Sequence, residues 1–447
     1  MSSRRVVITG LGPVTPLGIG VSALWTALLE RRNAVRRVQA FDPSRFRSQI
    51  GAEIAGLSIN DFVPKSYRKA AKIMARDIVL AVVAAHQAVR DAGLRTRCLL
   101  ERGEAVGEPN LDSTRFGANI GAGLICADLP ELAEVLHGAS IDGQFSFARW
   151  GAEGMNNLTP LWLLKFLPNM LACHVTIVHD AQGPSNTITC AEASSHLAIG
   201  EAFRTITRGA ADVCICGGAE SQDNPMALLR QEIGGRLSTR NDAPERACRP
   251  LAADRDGTVI SEGGGLVILE ALEHAQRRGA RIYAELVGFG AAHDAHVAAQ
   301  PGVPHPEGRG TAVALRKALR DAGIGPEEVG LVASFACGLR EHDAAEARAL
   351  QSVFGPRAGH VPVMNVKAGL GNCGAGSGAI DFIAAVLAVH HGAIPPALNS
   401  RPLDPACGPM NVVTDGPRDA GIEYAVSPAY AHAGAQNAAL VIKRFRA

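Results

Sequence analysis

A helix start that could carry an active-site residue lies within TITCAEASSHLAIGEAF, residues 187–203. Small residues crowd its beginning, and an apolar run follows. The dipole and free N–H groups of a helix N-terminus favour anions, so nucleophiles are often activated there. Here the best-placed residue is Glu192, which would be a fair general acid if burial raised its pKa. Thr189-Cys190-Ala191-Glu192 also fits the S/T-x-x-E capping box, in which Glu192 would only fix the first helical turn.

Other chemically suggestive patterns favour simpler interpretations. Cys190 and His196 are six residues apart and would point to different helix faces, so packing is favoured over a thiol–imidazole pair. The stretch 369–374 matches G-x-G-x-x-G, but no suitable acid follows about 20 residues later, so nucleotide binding is not expected. His293 and His296 have no further ligands at clear spacing. The sequence therefore predicts neither a cofactor nor a metal.

The bulk composition narrows the class of protein. The 447 residues are 47% hydrophobic, which is enough for two to three domain-sized units. Lys plus Arg number 44 and Asp plus Glu number 43, and this balance gives no reason to expect a nucleic-acid partner. The ten cysteines are scattered without zinc spacing and are typical of reduced thiols in the cytoplasm. We expect neither a signal sequence nor a membrane span.

The elements that must position Glu192 alternate along the chain. Strand-like runs end in glycine, and helical patterns lie between them, which predicts an α/β fold with buried sheets. An internal repeat is present, because residues 189–218 and 365–398 both run from a small-residue turn into an all-round apolar helix. We therefore predict a duplicated fold with halves at 1–270 and 271–447. Residues 124–160 are predicted to be an insert at the surface or at the dimer edge, where capping a pocket is an alternative.

The whole chain resembles the β-ketoacyl-acyl carrier protein synthases of the elongating, KAS II-like type. The resemblance rests on RRVVITGLGPVTPLG, GPSNTITCAEASSHLAIGEAF, CRPLAADRDGTVISEGGGLVILE, HDAAEARAL and VKAGLGNCGAGSGAID, in that order. It implies a thiolase-like duplicated fold, layered α-β-α-β-α with two central mixed sheets. It also implies an acyl carrier protein as a partner.

The same resemblance shows departures at the catalytic positions. The family's cysteine nucleophile falls on Glu192, its first histidine on Phe335 and its second on Asn372. Lys367 is kept, and we expect it to form an ion pair or network with Glu346. The acidic position Asp343 is kept as well. The gating phenylalanine of the C-terminal glycine-rich loop falls on Ala433, beside Gly434, and these two residues are the expected substrate contacts.

These departures matter because condensation needs a thiolate, imidazole donors for the enolate and an oxyanion hole. The resemblance therefore implies a chain-length-factor-like subunit that pairs with an active ketosynthase, although such subunits usually carry glutamine at the position of Glu192. Two alternatives remain open. One is an acyl-carrier-protein-dependent enzyme, such as a malonyl decarboxylase, that uses Glu192 and Asn372. The other is a homodimeric acyl-binding protein without chemistry.

Family members associate through a strand near the first buried helix. The corresponding stretch here is about 166–190, and its apolar, β-branched residues would be costly to expose. We therefore expect a dimer, with a ketosynthase or with a second copy. A charge at Val175 or Ile177 is expected to disrupt the dimer and the fold together.

Overall fold

The computed structural model describes residues 4–158, 160–296, 300, 302–433 and 435–446. The α-helices of this part are α1 Val21–Leu29, α2 Arg68–Ala71, α3 Arg76–Asp91, α4 Arg97–Arg102, α5 Leu129–Gly138, α6 Phe147–Ala152, α7 Met170–His179, α8 Ser194–Thr207, α9 Pro225–Ile233, α10 Leu272–Arg277, α11 Arg309–Ala322, α12 Arg340–Phe354, α13 Lys367–Leu370 and α14 Ser377–His391.

The strands are β1 Val6–Thr15, β2 Gly18–Ile19, β3 Arg36–Arg37, β4 Ile50–Ala52, β5 Phe116–Ala122, β6 Ser140–Ile141, β7 Gln144–Phe145, β8 Ser185–Ile188, β9 Val213–Ser221, β10 Ile260–Ala271, β11 Ala284–His293, β12 Val329–Ala333, β13 Pro362–Met364, β14 Ala393–Ile394, β15 Asn411–Val412, β16 Arg418–Asp419, β17 Tyr424–Tyr430 and β18 Gln436–Arg444. Two of the longest, β1 and β10, are buried along their whole length.

The main sheet is built from two halves with the same pattern of strand pairing. Its order is β15-β13-β12-β17-β18-β11-β1-β10-β9-β5-β8. Outward from β1 the pairings are antiparallel to β10 and β9 and then parallel to β5 and β8. Outward from β11 they are antiparallel to β18 and β17 and then parallel to β12 and β13. This symmetry confirms the predicted duplicated mixed α/β fold.

The two half-sheets are joined rather than separate. Val6–Ile8 of β1 pair antiparallel with Ala284–Leu286 of β11, so hydrogen bonding continues from one half into the other. Helices α8 and α14 lie between the halves, since each contacts strands of both. Helix α3 packs on the outer side of β1 and β10, and α11 packs on the outer side of β11 and β18. The layers therefore follow the expected α-β-α-β-α order.

The two central helices begin in the same way. A single 3₁₀ turn, Ala191–Ala193 before α8 and Gly374–Gly376 before α14, leads into each helix. The N–H of Cys190 donates to Ser194 Oγ at 2.8 Å, and the N–H of Cys373 donates to Ser377 Oγ at 2.9 Å. The repeat seen in the sequence is therefore a repeat of local structure. The boundary at 270/271 falls before the last residue of β10 and remains a prediction.

The stretch at 166–190, where dimer contact is predicted, contains one helix and one strand. Residues Met170–His179 form helix α7, and only Ser185–Ile188 form a strand, at the edge of the sheet beside β5. Val175 is 0% exposed and packs into the core of its own chain, whereas Ile177 is 45% exposed. The two positions therefore report on different properties. Val175 belongs to the fold, and Ile177 is available to a neighbour.

The insert at 124–160 carries α5, the β6–β7 hairpin and α6. Several of its large apolar side chains are exposed, namely Leu124, Leu129, Ile141, Phe145, Phe147 and Met155. Within the described residues, no helix is both long enough and apolar enough to cross a membrane.

Candidate functional site

Glu192 lies in the 3₁₀ turn that precedes α8, at the point predicted from the sequence. The preceding residue, Ala191, has a φ of 47°, an unusual backbone conformation for a residue other than glycine. Glu192 itself is 3% exposed. A carboxylate at such depth is costly unless other groups satisfy it. Its partners therefore decide what it can do.

Those partners come from a single residue, His432, at the far end of the chain. The backbone N–H of His432 donates to Glu192 Oε2 at 3.0 Å, and its ring Nδ1 lies 3.0 Å from Oε1. The capping-box interpretation is wrong, because the carboxylate bonds to this loop and the N-cap of the turn is Cys190, with no side-chain cap. Burial raises the pKa of Glu192, but the charge and the two N–H groups of His432 outweigh burial and hold this pKa well below its usual range.

The ring of His432 also faces a thiol. Its Nε2 lies 3.3 Å from Cys337 Sγ, so Glu192, His432 and Cys337 form a hydrogen-bonded line. His342 supports the line from its Nε2, which is 3.1 Å from the carbonyl oxygen of His432. Cys337 is 0% exposed, and burial raises the pKa of its thiol well above the ordinary value. The line therefore holds a neutral thiol that solvent does not reach.

Phe335, at the position predicted to match the family's first histidine, has a ring that cannot donate a hydrogen bond. It is fully buried and packs edge-on against Tyr430, with ring centroids 5.0 Å apart. Lys367 Nζ sits over its face, 4.3 Å from the centroid, as in a cation–π contact. The side chain thus packs among the rings of Tyr430 and His432 and the ammonium group of Lys367.

The expected pairing of Lys367 with Glu346 is wrong. Lys367 forms a buried ion pair with Asp381 of α14. Glu346 instead accepts hydrogen bonds from the N–H of Phe335 at 2.9 Å and from the Tyr430 hydroxyl at 3.0 Å. Burial raises the pKa of Glu346 to about 7 and that of Asp381 to about 6, although Lys367 lowers the latter. The acidic partner of Lys367 therefore lies on α14, the next helix along the chain.

Asp343 and Asn372 both accept hydrogen bonds that stabilise the local backbone. Asp343 accepts from the N–H groups of Leu251, Cys337 and Gly338, at distances of 2.9 to 3.1 Å. Asn372 is 1% exposed, and its Oδ1 accepts from the Gly374 N–H at 3.0 Å and the Ser377 hydroxyl at 2.8 Å.

Asn372 therefore fixes the turn before α14, and its side-chain oxygen is already used. Neither it nor Phe335 lines the cavity that opens beside Glu192.

That cavity has a volume of about 460 Å³. Glu192 and Ala433 both line it, which brings together one predicted catalytic position and one predicted substrate contact. Gly434, the second predicted substrate contact, lies outside the described residues. Leu124 and Pro168 add apolar surface, and several glutamine, glutamate and arginine side chains also line the cavity. Within the described residues, no group of three or more His, Cys, Asp or Glu side chains is placed to hold a metal ion.

Sequence reasoning missed His432, Cys337 and Asp381. His432 stands in YAHAG, next to the predicted gate at Ala433, and a histidine there could have been flagged as a group that faces Glu192. The other two carry no such signal, because a cysteine and an aspartate in apolar runs have many structural roles.

Two family models match the chain. The N-terminal domain of β-ketoacyl synthases matches residues 3–275, and the C-terminal domain matches residues 283–401. The 3-oxoacyl-[acyl-carrier-protein] synthase 2 of Staphylococcus aureus strain COL is 33% identical over 446 residues, covering 100% of this chain and 99% of the relative. The synthase of the same name from Coxiella burnetii is also 33% identical, covering 99% of both chains.

Solved structures agree with these matches over the whole length. The ishigamide ketosynthase/chain length factor superposes with a TM-score of 0.83 at 28% identity, covering 100% of both chains. A type II polyketide ketosynthase, AntDE, solved with its acyl-carrier protein AntF, gives a TM-score of 0.84 at 27% identity, with 99% of this chain and 100% of that chain covered. A β-ketoacyl synthase from Burkholderia phymatum gives 0.84 at 29% identity, with the same coverage.

Proposed function

Because this chain belongs to the β-ketoacyl synthase family, we propose that it is a non-condensing, chain-length-factor-like subunit that pairs with an active ketosynthase. One observation carries the proposal. The position matched to the family's cysteine holds a carboxylate, Glu192, that is buried and bonded twice to His432. A carboxylate held in this way forms no thioester. The acyl group of a condensation would have to be carried by another subunit.

The remaining catalytic positions support the same function. Phe335 offers no hydrogen-bond donor to a thioester oxygen, and the side-chain oxygen of Asn372 already accepts hydrogen bonds within the turn before α14. Removing one such donor from an active site lowers the rate by about 10²–10³. With the thiol also replaced, little condensation by this chain alone is expected.

The alternative in which Glu192 is a general acid has less support. A general acid needs a proton to give near neutral pH. His432 holds the pKa of Glu192 well below its usual range, so the side chain is ionised there. Both of its oxygens already accept hydrogen bonds. We therefore do not propose a decarboxylase.

Pairing with a second subunit is supported by two exposed features. Strand β8, Ser185–Ile188, is the last strand of the sheet path and bonds only to β5 among the described strands. An open strand edge is a template for pairing with another chain. The insert at 124–160 exposes apolar side chains, which is typical of an interaction surface. We propose that both features lie in the subunit interface.

An acyl carrier protein is the proposed second partner. Four exposed cationic side chains lie within eight residues at the start of the α2 region: Lys65, Arg68, Lys69 and Lys72. Such a cluster attracts an acidic protein by electrostatic steering. AntDE, to which this chain is similar, was solved with its acyl-carrier protein.

All ten cysteines are free thiols, which supports a reducing compartment such as the cytoplasm.

Intact-protein mass spectrometry tests the missing acylation. The chain alone is incubated with an acyl-carrier protein loaded with an acyl group, beside a cysteine-bearing ketosynthase as the positive control. We expect an acyl adduct on the control and an unchanged mass for this chain. An adduct mapped to Cys190 would show that the alignment of Glu192 with the family's cysteine is wrong.

A further inference from the structure

The cavity beside Glu192 has one continuous polar wall. Arg236 Nη1 donates to Gln231 Oε1 at 3.2 Å, and Gln231 Nε2 donates to Gln222 Oε1 at 3.3 Å. Gln222 Nε2 then lies 3.5 Å from Glu220 Oε1, at the limit of a weak hydrogen bond. All four side chains line the cavity, and Glu220, Gln222 and Gln231 are buried. This wall presents hydrogen-bonding groups rather than hydrocarbon.

The hydrogen-bond donors of the wall that remain without an acceptor in the described part of the chain belong to two arginines. Arg230 also lines the cavity, and its Nη2 is 3.8 Å from Glu220 Oε1, which is longer than a hydrogen bond. Within the described residues, Arg230 donates no side-chain hydrogen bond and Arg236 donates only the one within the wall. The carboxylate of Glu192, by contrast, is already satisfied by the loop behind it.

Glu220 does not cancel this positive charge. Burial raises the pKa of Glu220 to about 8, although the Ala375 N–H and Arg230 lower it, so most of this carboxyl is uncharged at neutral pH. The two guanidinium groups therefore line a cavity in which the ionised carboxylate, that of Glu192, is already bonded to His432.

We propose that this cavity receives the distal end of an acyl thioester, and that this end is a carboxylate bound by Arg230 and Arg236. Guanidinium groups bind carboxylates through charge-assisted and often paired N–H···O bonds. The volume, about 460 Å³, is within the range of about 300–1,000 Å³ usual for small-molecule sites. The thioester part rests on the proposed function, whereas the carboxylate part rests on the composition of the wall.

A saturated acyl chain fits this wall poorly. It would displace water from two arginines and two buried glutamines and would offer them no acceptor. Polar groups that lose water without gaining a partner disfavour binding. The cavity should therefore distinguish two acyl groups of equal length by the presence of a terminal carboxylate.

Matched thioesters test this directly. Glutaryl- and pentanoyl-N-acetylcysteamine have the same five-carbon acyl chain and differ by the terminal carboxylate. Isothermal titration calorimetry on the full chain, in the assembly in which it purifies, gives both dissociation constants. We expect glutaryl to bind at least about tenfold more tightly, as one charge-assisted hydrogen bond requires. Arg230→Gln/Arg236→Gln should remove the preference, and Arg316→Gln, an exposed site on α11, should keep it.

Three outcomes would overturn the inference. These are equal affinities in the unsubstituted chain, a preference that survives the double substitution in protein with an unchanged circular dichroism spectrum, and no binding of the glutaryl thioester at its solubility limit. Because the experiment measures binding, its outcome is independent of the proposed function. If the chain prefers glutaryl but pairs with no ketosynthase, only the proposed function is refuted. If the chain pairs with a ketosynthase but shows no preference, only this inference is refuted.

Discussion

Glu192→Gln should destabilise the fold through the loss of one negative charge at almost constant shape. The carboxylate accepts two N–H groups of His432, each at 3.0 Å, and the pair is buried, with side-chain exposures of 1% and 4%. A glutamine has one oxygen for these two donors, so one of them loses its acceptor. Glu201→Gln, at a partly exposed position of α8, the helix that follows Glu192, is the matched control.

The magnitude follows from the type of bond. Hydrogen bonds to a charged group contribute about 1.5–3 kcal/mol each, and neutral ones about 0.5–1.5 kcal/mol. Replacing two charged bonds by one neutral bond should lower the free energy of unfolding by about 1.5–5.5 kcal/mol. Glu201 pairs with Arg208 at the surface, where such pairs contribute about 0–1 kcal/mol. Glu192→Gln should therefore lower the free energy of unfolding clearly more than Glu201→Gln does.

The effect should depend on pH in a defined direction. The pKa of Glu192 is depressed in the folded chain, because His432 outweighs burial, and is near the ordinary value of about 4.3 when unfolded. The stabilisation from the ionised form is therefore fully present above the unfolded pKa. It declines as the pH falls below that value, because the unfolded chain then binds a proton more readily.

Urea unfolding at neutral pH and near pH 4, followed by circular dichroism, measures both effects. The gap between the unsubstituted chain and Glu192→Gln should be large at neutral pH and smaller in acid. The reasoning is refuted if Glu192→Gln is no less stable than Glu201→Gln, or if the gap widens as the pH falls.

Two further predictions concern catalysis and assembly. Glu192→Cys alone should not give condensation, because Phe335 and Asn372 still provide no imidazole. A malonyl-dependent condensation assay against the triple change Glu192→Cys, Phe335→His, Asn372→His checks this, and substantial turnover by the single variant would show that the histidines are overrated. Ile177→Asp should reduce dimer formation in light scattering while the fold persists, whereas Val175→Asp should unfold the chain. Equal effects of the two charges would contradict their assignment to surface and core.

The sequence was a good guide where the signal is local. Alternating apolar runs and glycine-ended strands predicted the α/β layers, and the repeated small-residue turns predicted the similar starts of α8 and α14. The run at 170–179 shows the limit of such signals, because its apolar, β-branched residues suit a strand but are helical in α7. Propensity is a weak guide where tertiary packing decides.

The partners of the site were not predictable by the same means. His432 reaches Glu192 across 240 residues of sequence, and no spacing rule joins such positions. Asp381 is only 14 residues from Lys367 in the sequence, but Glu346 is an equally plausible acidic partner there. The orientation of α14, which directs Asp381 towards Lys367, decides which carboxylate forms the ion pair. The character of the cavity was equally hidden, because its polar wall combines side chains from β9, α9 and the following loop.

Native mass spectrometry of this chain, co-expressed with the cysteine-bearing ketosynthases of its own organism, tests the central proposal most directly. We expect a one-to-one complex containing this 46.6 kDa chain, with condensation that is lost when the partner's cysteine is replaced. A homodimer of this chain that condenses acyl and malonyl groups without any partner would contradict the proposal.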